Sequence, residues 1–285
     1  GIYEYDTEED AINKINSYPT TKELMVTSFW SIIGSFLSKG IIFIVWIFIG
    51  RILGSSDYGA FGLIRETVIL FASFAGLGLG ITASKYISEY FVKDREKAVN
   101  ILSLTMQFGI MMGMVVGILF YVFAPYIADN MIKTPQLVNE LRISSVILFF
   151  SALNGAQIGA LQGLMRFRQI AIITLLQSIL SFPIFYLGAR FYGLTGAVYG
   201  LACYYVIISI LSHIELHKAL LVHKISLPFL KAWRERNIIL TYSFPAFSSG
   251  IVVVLTKWWS DVMLVNSCDG FYEIGLFTAA YTFNS

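Results

Sequence analysis

Charge is scarce in this sequence. Asp, Glu, Lys and Arg make up 13% of the 285 residues while 56% are apolar, against about 25% and about 45–50% in a soluble domain. That balance excludes an ordinary water-soluble globule. Cysteine is scarcer still: Cys203, inside an apolar run, and Cys268, in a loop, provide no disulfide framework. Histidine occurs three times. His213 and His217 stand at i and i+4 with His223 beyond, a spacing that can bind metal, but without a matching third-ligand motif they read as titrating residues at a membrane interface. There is no P-loop, nucleophile elbow or paired-carboxylate motif, and no RNA- or DNA-binding motif accompanies the basic residues. The expectation is a protein without cofactor, metal, nucleic-acid partner or enzyme chemistry.

What the sequence has in abundance is long apolar runs, at 27–49, 60–83, 101–124, 143–163, 170–189, 194–214 and 240–258, with an eighth opening at Phe271. Each is about 20 residues, enough at 1.5 Å per residue to cross a hydrocarbon core of about 30 Å. The chain therefore reads as all-α, a polytopic helical membrane protein. It stops inside its eighth run, so a longer intact chain is expected. Residues 1–26 carry Glu4, Asp6, Glu8, Glu9, Asp10 and Glu23 against Lys14 and Lys22. They lack the basic, apolar, small-residue order of a signal peptide.

Basic residues fall unevenly. The N-terminal tail and the loops after the second, fourth and sixth runs hold thirteen, among them Lys93, Arg166, Arg168 and Arg234; the other loops hold five, Arg51, Lys133, Arg142, Arg190 and Lys257. Cytoplasmic loops retain Lys and Arg, which places the N-terminus in the cytoplasm of a multi-pass cell-membrane protein.

The seventh run resembles the first. TSFWSIIGS (27–35) matches YSFPAFSSG (242–250), and DYGAFGL (57–63) matches EIGLFTA (273–279), at an offset of about 215 residues spanning six helices. A half-chain repeat of six helices is the plan of many secondary transporters. The expected organisation is an acidic cytoplasmic tail (1–26), a six-helix lobe (27–214), a basic amphipathic linker lying at the cytoplasmic interface (215–239) and the start of a second lobe (240–285). Glycines at every fourth position, Gly109, Gly113 and Gly117, then Gly155, Gly159 and Gly163, then Gly196 and Gly200, mark seams where helices approach closely.

Four segments carry a family likeness: IGRILGSSDYGAFGL (49–63), GLGLGITASKYISEY (76–90), GALQGLMRFRQIAIITLLQSIL (159–180) and YGLTGAVYGL (192–201). From about residue 27 onward the chain resembles the polysaccharide-type, Wzx-like flippases of the multidrug/oligosaccharidyl-lipid/polysaccharide (MOP) exporter superfamily. The LQG-x-x-RFR turn at 161–168 is the most specific piece. The acidic tail departs from the family pattern. The resemblance implies a MOP-type fold of two lobes around a central cavity. It also implies alternating access that carries a lipid-linked oligosaccharide, on a polyprenyl phosphate or pyrophosphate, across the cytoplasmic membrane. Its expected partners are that cargo, membrane lipid and other polysaccharide assembly proteins. The competing readings are a MATE-like drug or cation antiporter, expected to keep a deep acidic residue in its first lobe, and a membrane-embedded glycan-modifying transferase, expected to carry catalytic residues in a long loop.

Candidate cavity residues are the polar groups at membrane depth. Lys39 lies about 18 Å into the first run, and its stem reaches only about 6 Å towards water. Such a charge costs at least about 2.5–3.5 kcal/mol to insert, so it faces either a wet cavity or a counter-ion. Ser28, Ser31, Ser35 and Ser38 share one face of the same helix, and Ser31, Ser35 and Ser38 are expected to line the cavity with Lys39. In the second run, Arg65 and Glu66 point about 100° apart. If Glu66 pairs with Lys39, Arg65 stays available for a phosphate. Asn154, Gln157 and Gln177, with Thr174, Ser178 and Ser181, either line a sugar path or hydrogen-bond helices together. Lys257, beside Trp258 and Trp259, reads as an interface anchor.

Overall fold

The computed structural model describes residues 21–222, 225, 228, 231–267 and 271–282, with side chains from residue 33 onward apart from 35, 240, 267, 281 and 282. The acidic tail up to residue 20, and the side chains of Ser28, Ser31 and Ser35, lie outside the described residues. No strand occurs among the described residues.

Two helices are far longer than a membrane is thick. α1 (Thr21–Gly76) and α5 (Phe167–Val222) each run 56 residues, about 84 Å at helical rise. Each is two segments joined at a bend, and both bends fall on glycine. Gly54 has φ 76° and ψ 171°, and Gly193 has φ 55° and ψ −134°, backbone that a side chain would strain. Both glycines belong to the family-like segments. The arms of α1, 21–53 and 55–76, hold the first apolar run and most of the second; those of α5 hold the fifth and sixth.

The second run does not continue as one helix to residue 83. Leu77 (φ 42°) and Gly78 (φ 68°) break it, and α2 (Leu79–Lys93) starts afresh. The Asp94 carboxylate then accepts from Lys97 N at 3.0 Å and caps α3 (Arg95–Tyr126). A single π-helical turn (Ile127–Met131) and a short 3₁₀ turn (Pro135–Leu137) lead into α4 (Val138–Gly163). The LQG-x-x-RFR turn closes α4: Met165 N donates to Gln162 O and Arg166 N to Leu161 O, both at 2.9 Å, with Met165 left-handed at φ 58°.

The expected linker (215–239) begins inside α5, which runs on to Val222, and its described remainder includes a 3₁₀ turn (Lys231–Glu235) docked on α3. Ala232 is fully buried, Trp233 stacks 5.3 Å from Phe108, and Ser103 Oγ donates to Pro228 O at 2.7 Å. A π turn (Ile239–Ser243), α6 (Phe244–Ser267) and α7 (Phe271–Thr282) complete the described chain.

Helices pack through the glycine seams. A Cβ on Gly113 would sit 3.1 Å from Ala152 Cβ of α4, one on Gly117 3.2 Å from Ser145 O, and one on Gly159 would collide with the Gly80 backbone of α2. Gly155, by contrast, faces open space. The core gathers Phe61, Phe120 and Phe185, all fully buried, with Trp46 against Phe61 and Phe185. Large apolar side chains on the outer faces of α3 and α5, such as Ile118, Val122 and Leu187, are exposed, as helices in contact with hydrocarbon require. Five described helices are long and apolar enough to span a membrane, α1 and α5 among them. The molecule is a multi-pass membrane protein.

Candidate functional site: a charged cavity between the arms of α1, α5 and α6

A cavity of about 880 Å³ opens among these helices. The first arm of α1 contributes Phe36, Lys39, Phe43 and Trp46, and the second arm Arg65, Glu66 and Ile69; α5 contributes Phe185, Tyr204 and Tyr205, and α6 Val253, Val254 and Lys257. Lys39 is 18 residues into α1 and 15 before Gly54, over 20 Å from either end of its arm at about 1.5 Å per residue. Residues at i, i+4 and i+7 share a helix face, which puts Lys39, Phe43 and Trp46 together.

The charges are knitted across helices. Arg65 Nη2 donates to Glu66 Oε1 at 3.1 Å, and Lys257 Nζ lies 2.6 Å from the same oxygen. The three side chains are 17%, 8% and 24% exposed, so the pairs are partly shielded from water, which strengthens their attraction at a cost in desolvation. The Arg65 guanidinium also lies 5.1 Å from the centre of the Trp46 ring. From the next residue of α6, Trp258 Nε1 donates to Thr67 Oγ1 at 2.9 Å, holding α6 to α1 beside the ion pair. The lining presents three cations, Lys39, Arg65 and Lys257, against one carboxylate, Glu66.

Lys39, Arg65 and Glu66 therefore come together at one cavity, while Ser38, Asn154, Gln157 and Gln177 are not among its lining residues; Ser31 and Ser35 lie outside the described side chains. The Glu66 carboxylate is held by Arg65 and Lys257, so Arg65 is not left available by a Lys39–Glu66 pair. The adjacent pair Arg65 and Glu66 reach one cavity because the long arginine side chain spans the angle between them. Ser38 is buried and its Oγ has no hydrogen-bond partner among the described residues; it precedes Lys39, about 100° away around the helix, and faces protein. Asn154 Nδ2 donates to Ser212 Oγ at 2.9 Å, Ser209 Oγ to Gln157 Oε1 at 3.3 Å, and Gln177 Nε2 to Tyr204 O at 3.4 Å. These amides tie α4 to α5 and one arm of α5 to the other. Thr174, Ser178 and Ser181 bond back to their own helix. Lys257 lines the cavity and pairs with Glu66, while of the two tryptophans beside it Trp258 is buried and Trp259 exposed. Among the described residues no group of three His, Cys, Asp or Glu could hold a metal.

Sequence reasoning missed Trp46, Tyr204, Tyr205 and Lys257. The i, i+4, i+7 spacing of Lys39, Phe43 and Trp46 was the available signal for the first. Nothing local marks which face of α5 or α6 turns inward.

The fold and this cavity define a class, the MOP-type helical bundle. The chain can be superposed on the inward-facing conformation of a multidrug resistance MATE family transporter of the MOP superfamily, with TM-score 0.64 and 16% identity over 84% of this chain and 57% of that one. It also matches a MATE protein in complex with Br-NRF (TM-score 0.63, 19% identity, 91% of this chain and 62% of that one). A third match is a MOP superfamily transporter from Pyrococcus furiosus Vc1, described as having a binding pocket of reverse polarity (TM-score 0.60, 19% identity, 98% and 66%). The chain thus spans less than two thirds of the length of these structures. No curated protein matches it. The family described as "Polysaccharide biosynthesis protein" matches residues 25–285, and the chain belongs to that family.

Proposed function

We propose that the protein moves a lipid-linked oligosaccharide across the cytoplasmic membrane by alternating access, the cavity taking the phosphate or pyrophosphate and sugar while the polyprenyl tail stays in lipid. The observation that carries this reading is the excess of cations, Lys39, Arg65 and Lys257 against Glu66, around a cavity with aromatic walls among helices apolar enough to span a membrane. Phosphate oxygens make charge-assisted hydrogen bonds with arginine and lysine, and the aromatic faces of Trp46, Tyr204 and Tyr205 offer apolar, stackable walls to a sugar ring. The family membership supports a role in polysaccharide assembly, with other assembly proteins as partners.

The runner-up is a drug or cation antiporter, favoured by the MATE structures the chain resembles. A cationic drug would meet a cavity wall of its own sign, which disfavours it. A transferase reading finds no group of three His, Cys, Asp or Glu among the described residues. The lopsided basic residues support a cytoplasmic N-terminus; a cysteine placed near Lys93 should resist impermeant maleimide in intact cells.

The deciding measurement is flipping of a fluorescent polyprenyl-diphosphate-linked sugar in proteoliposomes. The expected result is transport that a cationic dye does not share. Transport of the dye, with the lipid-linked sugar left behind, would overturn the proposal.

A further inference from the structure

Asp261 is the unexplained charge beside the cavity. It is 4% exposed, and its Oδ1 accepts no hydrogen bond among the described residues, an arrangement that is rare and costly for a buried carboxyl and calls for an explanation. It stands four residues beyond Lys257 on α6, the spacing at which side chains on one helix face meet. Lys257 Nζ instead reaches off its own helix to Glu66 Oε1 of α1, at 2.6 Å. Glu66 has a second donor beside it on α1, Arg65 Nη2, at 3.1 Å. Glu66 thus has one partner across the α1–α6 contact and one within its own helix. Lys257 has its partner across the contact, and Asp261 stands at i+4 on its own helix as an alternative acceptor.

We propose that Lys257 is an exchangeable latch between the two lobes: paired with Glu66 while α6 is seated on α1, and paired with Asp261 when they separate. An ordinary buried bridge resists opening because each half is left as a stranded charge. Here, separation leaves two neutral pairs, Arg65–Glu66 in the first lobe and Lys257–Asp261 in the second. The bridge therefore holds the closed arrangement without making the open one prohibitive, the property a two-state element needs. The link to transport rests on the reading above: an oxyanion of the cargo, held by Lys39 and Arg65, competes with Glu66 for Lys257 and favours separation.

The latch can be read without any transport. Spin labels at Val115 of α3 and Val252 of α6, both exposed, would report the α3–α6 distance by double electron–electron resonance in nanodiscs. The full-length protein is used, with native cysteines replaced by serine and thermal stability measured on the same samples. Glu66→Gln and Lys257→Gln should each raise the ratio of separated to seated populations by about tenfold. Asp261→Asn and Asp261→Leu should lower it by a similar factor while leaving melting temperature equal or higher, because a buried charge has been removed. A distance distribution that Glu66→Gln leaves unchanged, or Asp261 variants that both match wild type, would overturn the exchange. Geranylgeranyl diphosphate added to wild type should shift the population in the same direction as Glu66→Gln. If the substitutions behave as stated and this lipid does nothing, the latch stands and the anionic-cargo reading falls.

Discussion

Gly59 and Gly275 face each other across the contact between the second arm of α1 and α7. A Cβ on Gly59 would strike Phe271 O and sit 2.8 Å from Gly275 N, and one on Gly275 would strike Ser55 O. Phe271 stands to Ser55 as Gly275 stands to Gly59, 216 positions on, and Gly62 faces its own counterpart Thr278 at the same offset, with Thr278 Oγ1 2.7 Å from where a Cβ would lie. Contacts in which i meets j′ and i′ meets j are the signature of a two-fold relation. The matched segments DYGAFGL and EIGLFTA are thus packed against each other as well as alike.

This contact admits no side chain on either glycine. Gly59→Leu and Gly275→Leu should each cost about 1–3 kcal/mol by overpacking, read as a lower melting temperature in detergent. Gly250→Ala is the control, because a Cβ there meets nothing within 4 Å; it should be neutral or stabilising by up to about 1 kcal/mol. Equal stability of the two leucine variants and wild type would mean that α7 does not pack here.

The bend at Gly54 makes a separate demand. Nothing lies near a Cβ at this position, so only its φ of 76° penalises a side chain. Gly54→Ala should lower stability by about 1–3 kcal/mol, and Gly54→Val by more, since β-branching narrows the allowed backbone further. An alanine variant as stable as wild type would indicate that α1 straightens there.

The amides of α4 and α5 offer a choice that transport assays can settle. Asn154 and Ser212 share a 2.9 Å hydrogen bond away from the cavity, so a double-mutant cycle of Asn154→Ala and Ser212→Ala should give a coupling of about 0.6 kcal/mol in stability. Transport per folded molecule should not change. A tenfold loss of transport in Asn154→Ala at wild-type stability would return this residue to a sugar path.

How much of this could be read beforehand differs from residue to residue. Lys39 is conspicuous because its depth leaves it no route to water, and Arg65 and Glu66 because charge is rare in such a run. The apolar runs give the crossing segments, and the repeat gives the pairing of Gly59 with Gly275. Lys257 was misleading: two neighbouring tryptophans resemble an interface belt, but Trp258 donates its Nε1 to Thr67 and Lys257 itself reaches Glu66 across the α1–α6 contact. Ser38 is buried away from the cavity for a geometric reason, since it and Lys39 are consecutive and a helix turns about 100° between them. The break at Leu77–Gly78 was invisible because the residues on both sides are apolar, and hydropathy does not register φ.

Lys39 itself carries the most consequential expectation. It shares its helix face with Phe43 and Trp46 and lines the cavity with Arg65 and Lys257, while Glu66 is held by those two cations. If its charge receives the phosphate, the order of transport should follow charge first and shape second: wild type, then Lys39→Arg, then Lys39→Gln, then Lys39→Glu, with the glutamine variant down at least about tenfold. A lysine serving only as a structural counter-ion to Glu66 would behave otherwise, because the swap Lys39→Glu with Glu66→Lys would then restore both abundance and transport. The swap should instead fail, since it also removes the acceptor used by Arg65 and Lys257. Flipping of the fluorescent lipid-linked sugar, normalised to the amount of folded protein in the vesicle, separates these cases. Full transport by Lys39→Gln at normal abundance would remove Lys39 from the cargo site.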